Sequence, residues 1–511
     1  MPDTGKKTAL GVEFGSTRIK TAVVDDTFHI AASGDHLWKS DCVDGVWTYD
    51  LKDAWLGLKD ALGKTAGLDR VSAMGVSAMM HGYLAFDKDW NLLAPFRTWQ
   101  NTMTGEAAAE LTGLFSYNIP QRWSIAHLYQ AVLNKEAHID RIAHITTLAG
   151  YIHHALTGVN ALGVGEASGM FPIDPETLDY NQRMVEAFDA LPAIRERPWK
   201  LRDVLPKVLR AGDAAGCLTR EGAALLDGLL PEGLPFAPPE GDAGTGMTAT
   251  NAVRERTGNV SAGTSIFSMV VLEKPLAHVH EELDVVTTPS GREVAMVHCN
   301  NCTNDFNAWV QVLMETARLF GADPDLGEVF TKLYRKSLEG DADPGVTVVN
   351  YMAGEGVTHM DSGRPMVLRR PGDPFTLANF IRASLYSTMA TLKIGMDILK
   401  EEGAAIDTLT GHGGLFKTPG VGQRYMAAAC GALISCMETA GEGGPYGMAL
   451  LTMYMLTKEE GESLEDWLDR KVFRDVKAVV LMPDPADEAG FESWMARYRA
   501  ALKAERVAAE G

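Results

Sequence analysis

The sequence predicts an α/β protein made of two related halves, and three observations support that fold class. The chain has 511 residues, more than one hydrophobic core usually organises, so two or more domains are expected. A strand, a small hydroxyl-rich turn and a second strand occur near the N-terminus, and a unit of the same kind recurs from Val260. Apolar residues at helical spacing follow, most clearly at Leu385, Met389, Leu392, Met396 and Leu399.

Composition and charge narrow the classes of function. The hydrophobic fraction of 46% and the charged fraction of 22% are those of a globular protein. No signal-peptide or bilayer-spanning apolar run is present, so we expect a cytoplasmic protein with no membrane partner. The net charge of −20 would repel nucleic acid, although backbone amides and Mg²⁺ could still hold one nucleotide.

The six cysteines are sparse. Cys299 and Cys302 have the spacing of a metal or redox pair, but no second pair follows. Ordinary buried cysteines are therefore the favoured interpretation.

The two strand–turn–strand units span 8–25 and 260–271. Either one alone is most simply a β-hairpin. Two in one chain favour phosphate-binding turns, because such turns present backbone N–H groups and hydroxyls to phosphate oxygens. The turn residues are Gly15, Ser16 and Thr17 in the first unit and Gly263, Thr264 and Ser265 in the second.

A single carboxylate, Asp242, stands among Gly241, Gly244 and Gly246. Glycine backbones reach positive φ and allow a close approach, so the sequence indicates a backbone that faces a ligand. One candidate base followed by a candidate phosphate turn is the minimal equipment for moving a phosphoryl group onto an alcohol.

Two polar segments are candidates for binding an acceptor. Met80 and His81 lie at a predicted bend between strands, where they would face a cleft, or His81 would make a structural hydrogen bond. Trp99 would stack on a sugar while Gln100 and Asn101 bind its hydroxyls, or the tryptophan would form a core edge.

Further segments are marked by glycine or by apolar periodicity. The stretch 165–172 is predicted to be a loop, and a small-residue helix is predicted from Ala427 to Ile434. Gly411, Gly413 and Gly414, followed by Leu415, would let a flat base or ribose lie against bare backbone, although this is neither a Walker A nor a dinucleotide motif. The tail is predicted to dock on the body through Phe491, Trp494, Met495, Tyr498 and Leu502.

In this order and over nearly the whole chain, the motifs resemble those of the FGGY carbohydrate kinases. Residues 13–17 and 263–265 look like the two phosphate motifs, and Gly241-Asp242 looks like the catalytic-base motif. Met80-His81-Gly82 is similar to the Met-His-Gly of the xylulose kinases in this family. Residues 411–414 look like the adenosine motif, and 447–451 resemble a stretch near the family's C-terminus.

The resemblance implies two ribonuclease-H-like domains of the actin and hexokinase type, flanking an interdomain cleft. Residues 1–253 would be the sugar-binding domain and 254–511 the nucleotide-binding domain. The implied cofactors are ATP and Mg²⁺, and the implied partners are a small ketopentose or polyol and, in a homodimer, a second copy of the chain.

The same resemblance assigns roles to individual residues. Asp242 would be the general base and, with Glu13 acting through water, a magnesium ligand. The sugar would contact Met80, His81, Trp99, Gln100, Asn101 and Asp242. ATP would contact Gly15, Ser16, Thr17, Gly263, Thr264, Ser265, Gly411, Gly413, Gly414 and Leu415.

The chain departs from the family pattern at three positions. Glu13 stands where the family usually has Asp, Ala243 replaces an amide residue after the base, and Asn101 replaces a carboxylate. These changes preserve the expected reaction class but make xylulose an expected secondary substrate. Two alternatives on the same scaffold are a chaperone-type nucleotide switch without a sugar acceptor and a kinase-dead sugar sensor.

Overall fold

The computed structural model of the protein describes residues 6–438 and 443–510. The chain forms two compact units. Unit 1 comprises Met1–Arg254, Val285–Val294 and Glu442–Asp475, and unit 2 comprises Glu255–Asp284, Ala295–Gly441 and Val476–Gly511. Because each unit combines separate stretches of chain, a single domain boundary between 253 and 254 stays a prediction.

Within the described residues the strands, in chain order, are β1 (Ala9–Phe14), β2 (Arg18–Val24), β3 (Ile30–Leu37), β4 (Asp41–Val43), β5 (Val46–Thr48), β6 (Ala73–Ala78), β7 (Leu84–Phe86), β8 (His144–Thr146), β9 (Ala161–Gly163), β10 (Lys207–Leu209), β11 (Glu240–Gly241), β12 (Thr257–Ala262), β13 (Ile266–Val271), β14 (Asp284–Thr287), β15 (Glu293–Cys299), β16 (Thr347–Val349), β17 (Met366–Leu368), β18 (Thr408–Gly413), β19 (Leu433–Met437) and β20 (Ala478–Leu481).

The helices are α1 (Leu51–Lys64), α2 (Gly105–Phe115), α3 (Ser124–Leu133), α4 (Leu148–Thr157), α5 (Val164–Ser168), α6 (Gln182–Asp189), α7 (Leu201–Val204), α8 (Arg220–Leu225), α9 (Asp242–Ala249), α10 (Asn304–Leu319), α11 (Leu326–Ser337), α12 (Leu377–Glu401), α13 (Val421–Cys430), α14 (Gly444–Thr457), α15 (Leu464–Trp467) and α16 (Pro485–Glu510). Short 3₁₀ or π turns cover Leu68–Arg70, Ile139–Arg141, Gly356–Thr358, Gly414–Phe416 and Leu468–Val472.

Each unit is built on a mixed sheet of the same design. In unit 1 the order is β11-β6-β1-β2-β3, where β1 pairs antiparallel with β2 and parallel with β6. The other large sheet has the order β14-β15-β13-β12-β18-β19-β20, where β12 pairs antiparallel with β13 and parallel with β18. The repeated pattern confirms the predicted α/β fold of two related halves.

Helices cover these sheets with their apolar residues. In unit 1, α1 packs against β2 and β3, and α14 packs against β1 and β6. The predicted stripe of α12 is buried in the core of unit 2, and Phe491, Trp494, Met495 and Tyr498 of α16 join that core. The docking of the tail is therefore confirmed. Across the described ranges, no helix combines the length and apolar character needed to cross a membrane.

Two local predictions are wrong. The helix expected to reach Ile434 ends at Cys430, because Gly431 takes φ of 63° and the chain turns into β19. The predicted loop at 165–172 begins instead within the short helix α5.

Two buried glutamates connect α5 to β11. The backbone N–H of Glu166 donates to Glu240 Oε2 at 2.9 Å. A Cβ on Gly163 or Gly165 would lie 2.0 or 2.5 Å from the Glu240 carboxyl oxygens, so these positions are closely packed. Burial raises the pKa of Glu240 to about 8 and that of Glu166 well above its usual range. The Glu240 side chain is therefore mainly protonated at neutral pH.

The Glu240 carboxyl should make the protein less stable as pH rises from about 4.5 to about 8. Over that window the unfolded chain has lost this proton while the folded chain keeps it, so the free energy of unfolding decreases. Glu240→Gln should remove a part of that decrease, on the order of 5 kcal/mol at most. Denaturant unfolding at several pH values measures it, with the exposed Glu232→Gln as control. Parallel curves for Glu240→Gln and the wild type would contradict the assignment.

Candidate functional site

Asp242 is the first residue of α9, directly after the short strand β11. Strand β11 runs parallel to β6, so the residues that follow both strands lie at the same edge of the sheet. Met80 follows β6, and its backbone N–H donates to Asp242 Oδ1 at 3.1 Å. The structure thus brings the candidate base and the Met-His-Gly segment together in unit 1.

The expected positive φ around Asp242 is wrong. Gly241 has φ of −82°, and no glycine of the 241–246 segment adopts a left-handed backbone. These glycines provide close packing against the protein itself. A Cβ on Gly241 would lie 2.3 Å from Glu166 Oε2, and one on Gly244 would lie 3.1 Å from Pro289.

The Asp242 carboxyl is surrounded by protein, although part of the residue remains accessible. Burial, and after it the negative charge of Glu13, raise its pKa to about 6, against the hydrogen bond from Met80. A carboxyl with such a pKa is mostly ionised at neutral pH but accepts a proton more readily than an ordinary aspartate.

Glu13 is the second carboxylate of this site, at the end of β1. Its Oε2 atom is buried and makes no hydrogen bond within the described residues, while Lys20 Nζ lies 3.4 Å away. Burial raises the pKa of Glu13, and Lys20 partly offsets this. A Cβ on Gly444, at the start of α14, would lie 2.0 Å from Glu13 Oε1, so only glycine leaves this space open.

Sequence reasoning missed Glu166 and Glu240 as neighbours of the site. The ionised Asp242 carboxylate contributes to the raised pKa of Glu166. The available signal was the placement of each glutamate beside glycine, in Gly165-Glu166 and Glu240-Gly241. That pattern is too common to identify a buried carboxyl by itself.

His81 lies in a strained backbone position and is buried. Its φ is 71°, and its Nδ1–H donates to the Gly169 carbonyl at 3.1 Å. The ring stacks on Trp123, with centroids 6.1 Å apart. This hydrogen bond assigns the Nδ1–H tautomer to the neutral ring, so that Nε2 has acceptor character. The structure thus includes the hydrogen bond that was the alternative to a ligand role for His81.

The three residues from Trp99 to Asn101 have different surroundings. Trp99 is half-buried against the unit 1 core. The amide of Asn101 is occupied by the backbone of Trp47, accepting from its N–H at 2.9 Å and donating to its carbonyl at 2.8 Å. Gln100 Oε1 is buried and has no hydrogen-bond partner among the described residues. Gln100, rather than Asn101, offers an unused acceptor.

The turn Gly15-Ser16-Thr17 has all three of its carbonyl groups held by the protein. Gly15 O accepts from Trp38 Nε1 at 2.6 Å and Thr17 O accepts from Trp38 N at 3.2 Å. Ser16 O accepts from the Tyr49 hydroxyl at 2.8 Å. The side chains of Ser16 and Thr17 are exposed. Because the carbonyl oxygens already accept hydrogen bonds from the protein while the hydroxyls are exposed, the turn offers donors to a ligand, which favours an anion.

The turn Gly263-Thr264-Ser265 of unit 2 repeats this arrangement. Gly263 O accepts from Thr303 Oγ1 at 2.7 Å, Thr264 O accepts from Cys302 N at 3.0 Å, and Ser265 O accepts from Gly263 N at 2.9 Å. Cys299 and Cys302 are free and buried, and burial raises the pKa of both thiols. The Cys-x-x-Cys segment therefore supports the turn through its backbone.

The glycine-rich loop at 411–415 has one open position. A Cβ on Gly411 would lie 2.5 Å from the Phe416 ring, and Gly413 has φ of 99° with a Cβ position 2.4 Å from Ala262 O. A Cβ on Gly414 would meet only Ala262 O, at 3.9 Å. Leu415 is buried in the unit 2 core, so only its backbone could face a ligand.

Comparison with known proteins places these features in a family. Residues 8–247 match the N-terminal domain of the FGGY family of carbohydrate kinases, and residues 258–456 match its C-terminal domain. A xylulose kinase of Haemophilus influenzae is 23% identical over 406 residues, which are 77% of this chain and 76% of that protein.

Solved structures share the fold over almost their full length. A gluconate kinase from Lactobacillus acidophilus has a TM-score of 0.79 at 17% identity, covering 98% of both chains. A xylulose kinase from the same organism also has a TM-score of 0.79, at 16% identity and with 98% coverage of both chains. Both sequence domains and the two-unit α/β fold lead to one conclusion: the chain belongs to the FGGY family of carbohydrate kinases, enzymes that phosphorylate a sugar hydroxyl.

Proposed function

We propose that this protein transfers the γ-phosphoryl group of MgATP to a hydroxyl of a small sugar, with Asp242 as the general base. The observation that carries the proposal is the Asp242 carboxyl itself, which is buried yet partly accessible and has its pKa raised to about 6. Such a group is ionised at neutral pH and would accept the proton of an attacking hydroxyl.

The two carboxylates near β1 and α9 fit a divalent cation. Glu13 and Asp242 repel each other, and Glu13 Oε2 has no hydrogen bond within the described residues. Mg²⁺ prefers carboxylate oxygens and retains several water ligands, so Asp242 could bind it and Glu13 could hold it through water. When bound, Mg²⁺ neutralises charge on the transferred phosphoryl group.

The two small turns are the proposed phosphate-binding residues. Ser16 and Thr17 in unit 1, and Thr264 and Ser265 in unit 2, carry hydroxyls on turns whose carbonyls are already hydrogen-bonded. Hydroxyl and amide donors would stabilise the negative phosphate oxygens. The backbone near Gly414 is proposed to lie against the adenosine.

The proposed acceptor is a ketopentose or a closely related polyol, phosphorylated at a terminal primary hydroxyl. Met80, His81 and Gln100 support this choice, with Trp99 as a stacking surface. The sequence already lacks a polar side chain at Ala243, and the occupied amide of Asn101 leaves still fewer polar groups for the inner hydroxyls. Xylulose is therefore proposed as a secondary substrate. The cytoplasmic location and the homodimer stay predictions.

Asp242→Asn should lower kcat by about 10²–10⁴ while ATP and sugar still bind, because the amide cannot accept the proton. An ADP-release assay over ketoses, polyols and aldoses measures turnover, and calorimetry measures binding. The surface variant Asp203→Asn is the control and should match the wild type.

Turnover by Asp242→Asn within a few-fold of wild type would contradict its role as the base. ADP release that none of the sugars stimulates would favour a nucleotide switch. A hexose aldose as the best acceptor would overturn the proposed substrate class.

Gly414→Val should raise the KM for ATP by about tenfold or more and leave the KM for sugar unchanged. The valine side chain has open space on the protein side and would occupy the proposed adenosine position. Gly372→Val, at another open glycine of unit 2, is the matched control. An effect confined to the sugar would move the nucleotide site elsewhere.

Gln100→Leu should raise the KM for sugar by about five- to a hundredfold without lowering Tm, because it removes an acceptor that no described protein group uses. Asn101→Leu should instead lower Tm, since it removes both hydrogen bonds to the partly buried backbone of Trp47 and takes away the acceptor of the Trp47 N–H. Steady-state kinetics and thermal unfolding separate the two effects. Equal sugar KM values for Gln100→Leu and wild type would exclude Gln100 from the sugar site.

A further inference from the structure

Unit 2 carries a cluster of metal-ligating side chains that the kinase reaction does not use. His278 and His280 lie on the segment between β13 and β14, and Glu402 directly follows α12. One potential ligand atom from each residue lies within 4.8 Å of the others. Within the described parts of the chain, this is the only such group of three histidine, cysteine or acidic residues.

The three side chains converge on one carboxylate oxygen. His278 Nδ1 lies 2.7 Å from Glu402 Oε1, and His280 Nε2 lies 2.8 Å from the same atom. Zinc–nitrogen and zinc–oxygen bonds of about 2.1 Å in tetrahedral geometry separate ligand atoms by about 3.4 Å. Each imidazole nitrogen would need to move away from Glu402 Oε1 by only about 0.6 to 0.7 Å to reach that separation.

The carboxylate is already oriented by the protein. Glu402 Oε2 accepts from the backbone N–H of Ala277 at 2.6 Å, and the Glu402 side chain is 4% exposed. Outer contacts of this kind fix the direction of a metal ligand and support affinity. The exposed His278 leaves the cluster reachable from solvent.

The position of Glu402 also favours a cation. It caps the C-terminus of the 25-residue helix α12, where unpaired carbonyl groups create partial negative charge. A carboxylate placed there needs a positive partner. A divalent ion between the two imidazoles would supply more positive charge than the hydrogen bonds alone.

We propose that His278, His280 and Glu402 form a binding site for a borderline transition-metal ion such as Zn²⁺, with solvent as the fourth ligand. Imidazole nitrogen and carboxylate oxygen are ligands that zinc accepts readily, whereas Mg²⁺ prefers oxygen alone. The ion would tie the segment between β13 and β14 to the end of α12. The site is independent of the proposed carboxylate site around Asp242.

Calorimetric titration of the chelator-treated full chain with Zn²⁺, without nucleotide, tests the proposal. We expect a saturable site whose affinity decreases at least about tenfold in His278→Ala, His280→Ala or Glu402→Gln. Zn²⁺ should raise the Tm of the wild type but not of the His278→Ala/His280→Ala double variant. His359→Ala is the matched control, because His359 Nε2 pairs with Glu282 at 3.0 Å and has no second imidazole in its pair.

Absorption of the Co²⁺-loaded protein provides a second measurement. We expect ligand-field bands without a thiolate charge-transfer band, because the site contains no sulfur. Unchanged zinc affinity in the folded double variant would overturn the proposal. A thiolate band would do so as well, since it would assign the metal to exposed cysteines such as Cys42 and Cys217.

Discussion

The removal of water from the Asp242 carboxyl is the constraint on which the rest of the site depends. Burial and, as the second cause, the neighbouring charge of Glu13 together raise its pKa to about 6. Glu166 and Glu240 lie in the same unit as Asp242, and burial also raises the pKa values of their carboxyl groups. A mainly protonated Glu240 adds little negative charge to this unit, which makes it less costly to keep Asp242 ionised at neutral pH. The glycines at 163, 165, 241 and 444 leave the space that these carboxyl groups fill.

In both strand–turn–strand units the carbonyl groups of the turn accept hydrogen bonds, but the donors are different residues. An aromatic pair, Trp38 and Tyr49, holds the carbonyls of the first turn, whereas Cys302 and Thr303 contribute to the second. In both turns all three carbonyl groups accept hydrogen bonds from the protein, and Ser16, Thr17 and Thr264 are exposed. The strands that flank each turn occupy the same positions in their sheets, around β1 in one and around β12 in the other, so the two turns correspond to each other in the fold.

Sequence patterns predicted the fold well because helices, strands and turns depend mainly on residues that are close together in the sequence. The apolar spacing of α12, the two small turns and the docking face of α16 all follow from residues near one another in sequence. The site was harder to predict because its residues meet across the fold. The hydrogen bonds between Asn101 and Trp47, and the approach of Glu166 to Gly241, join residues distant in sequence. The glycines beside Asp242 suggested a backbone with positive φ, whereas the structure needs glycine there because neighbouring side chains pack closely against these positions.

The proposed role of Asp242 depends on a fold that raises the pKa of its carboxyl, partly through Glu13. The most direct measurement is a ¹³C NMR titration of labelled aspartate carboxyls in the free enzyme. We predict a signal that titrates near pH 6, is absent in Asp242→Asn, and titrates at lower pH in Glu13→Gln. An Asp242 signal that titrates near the ordinary aspartate value of about 3.9 in the wild type would contradict the account.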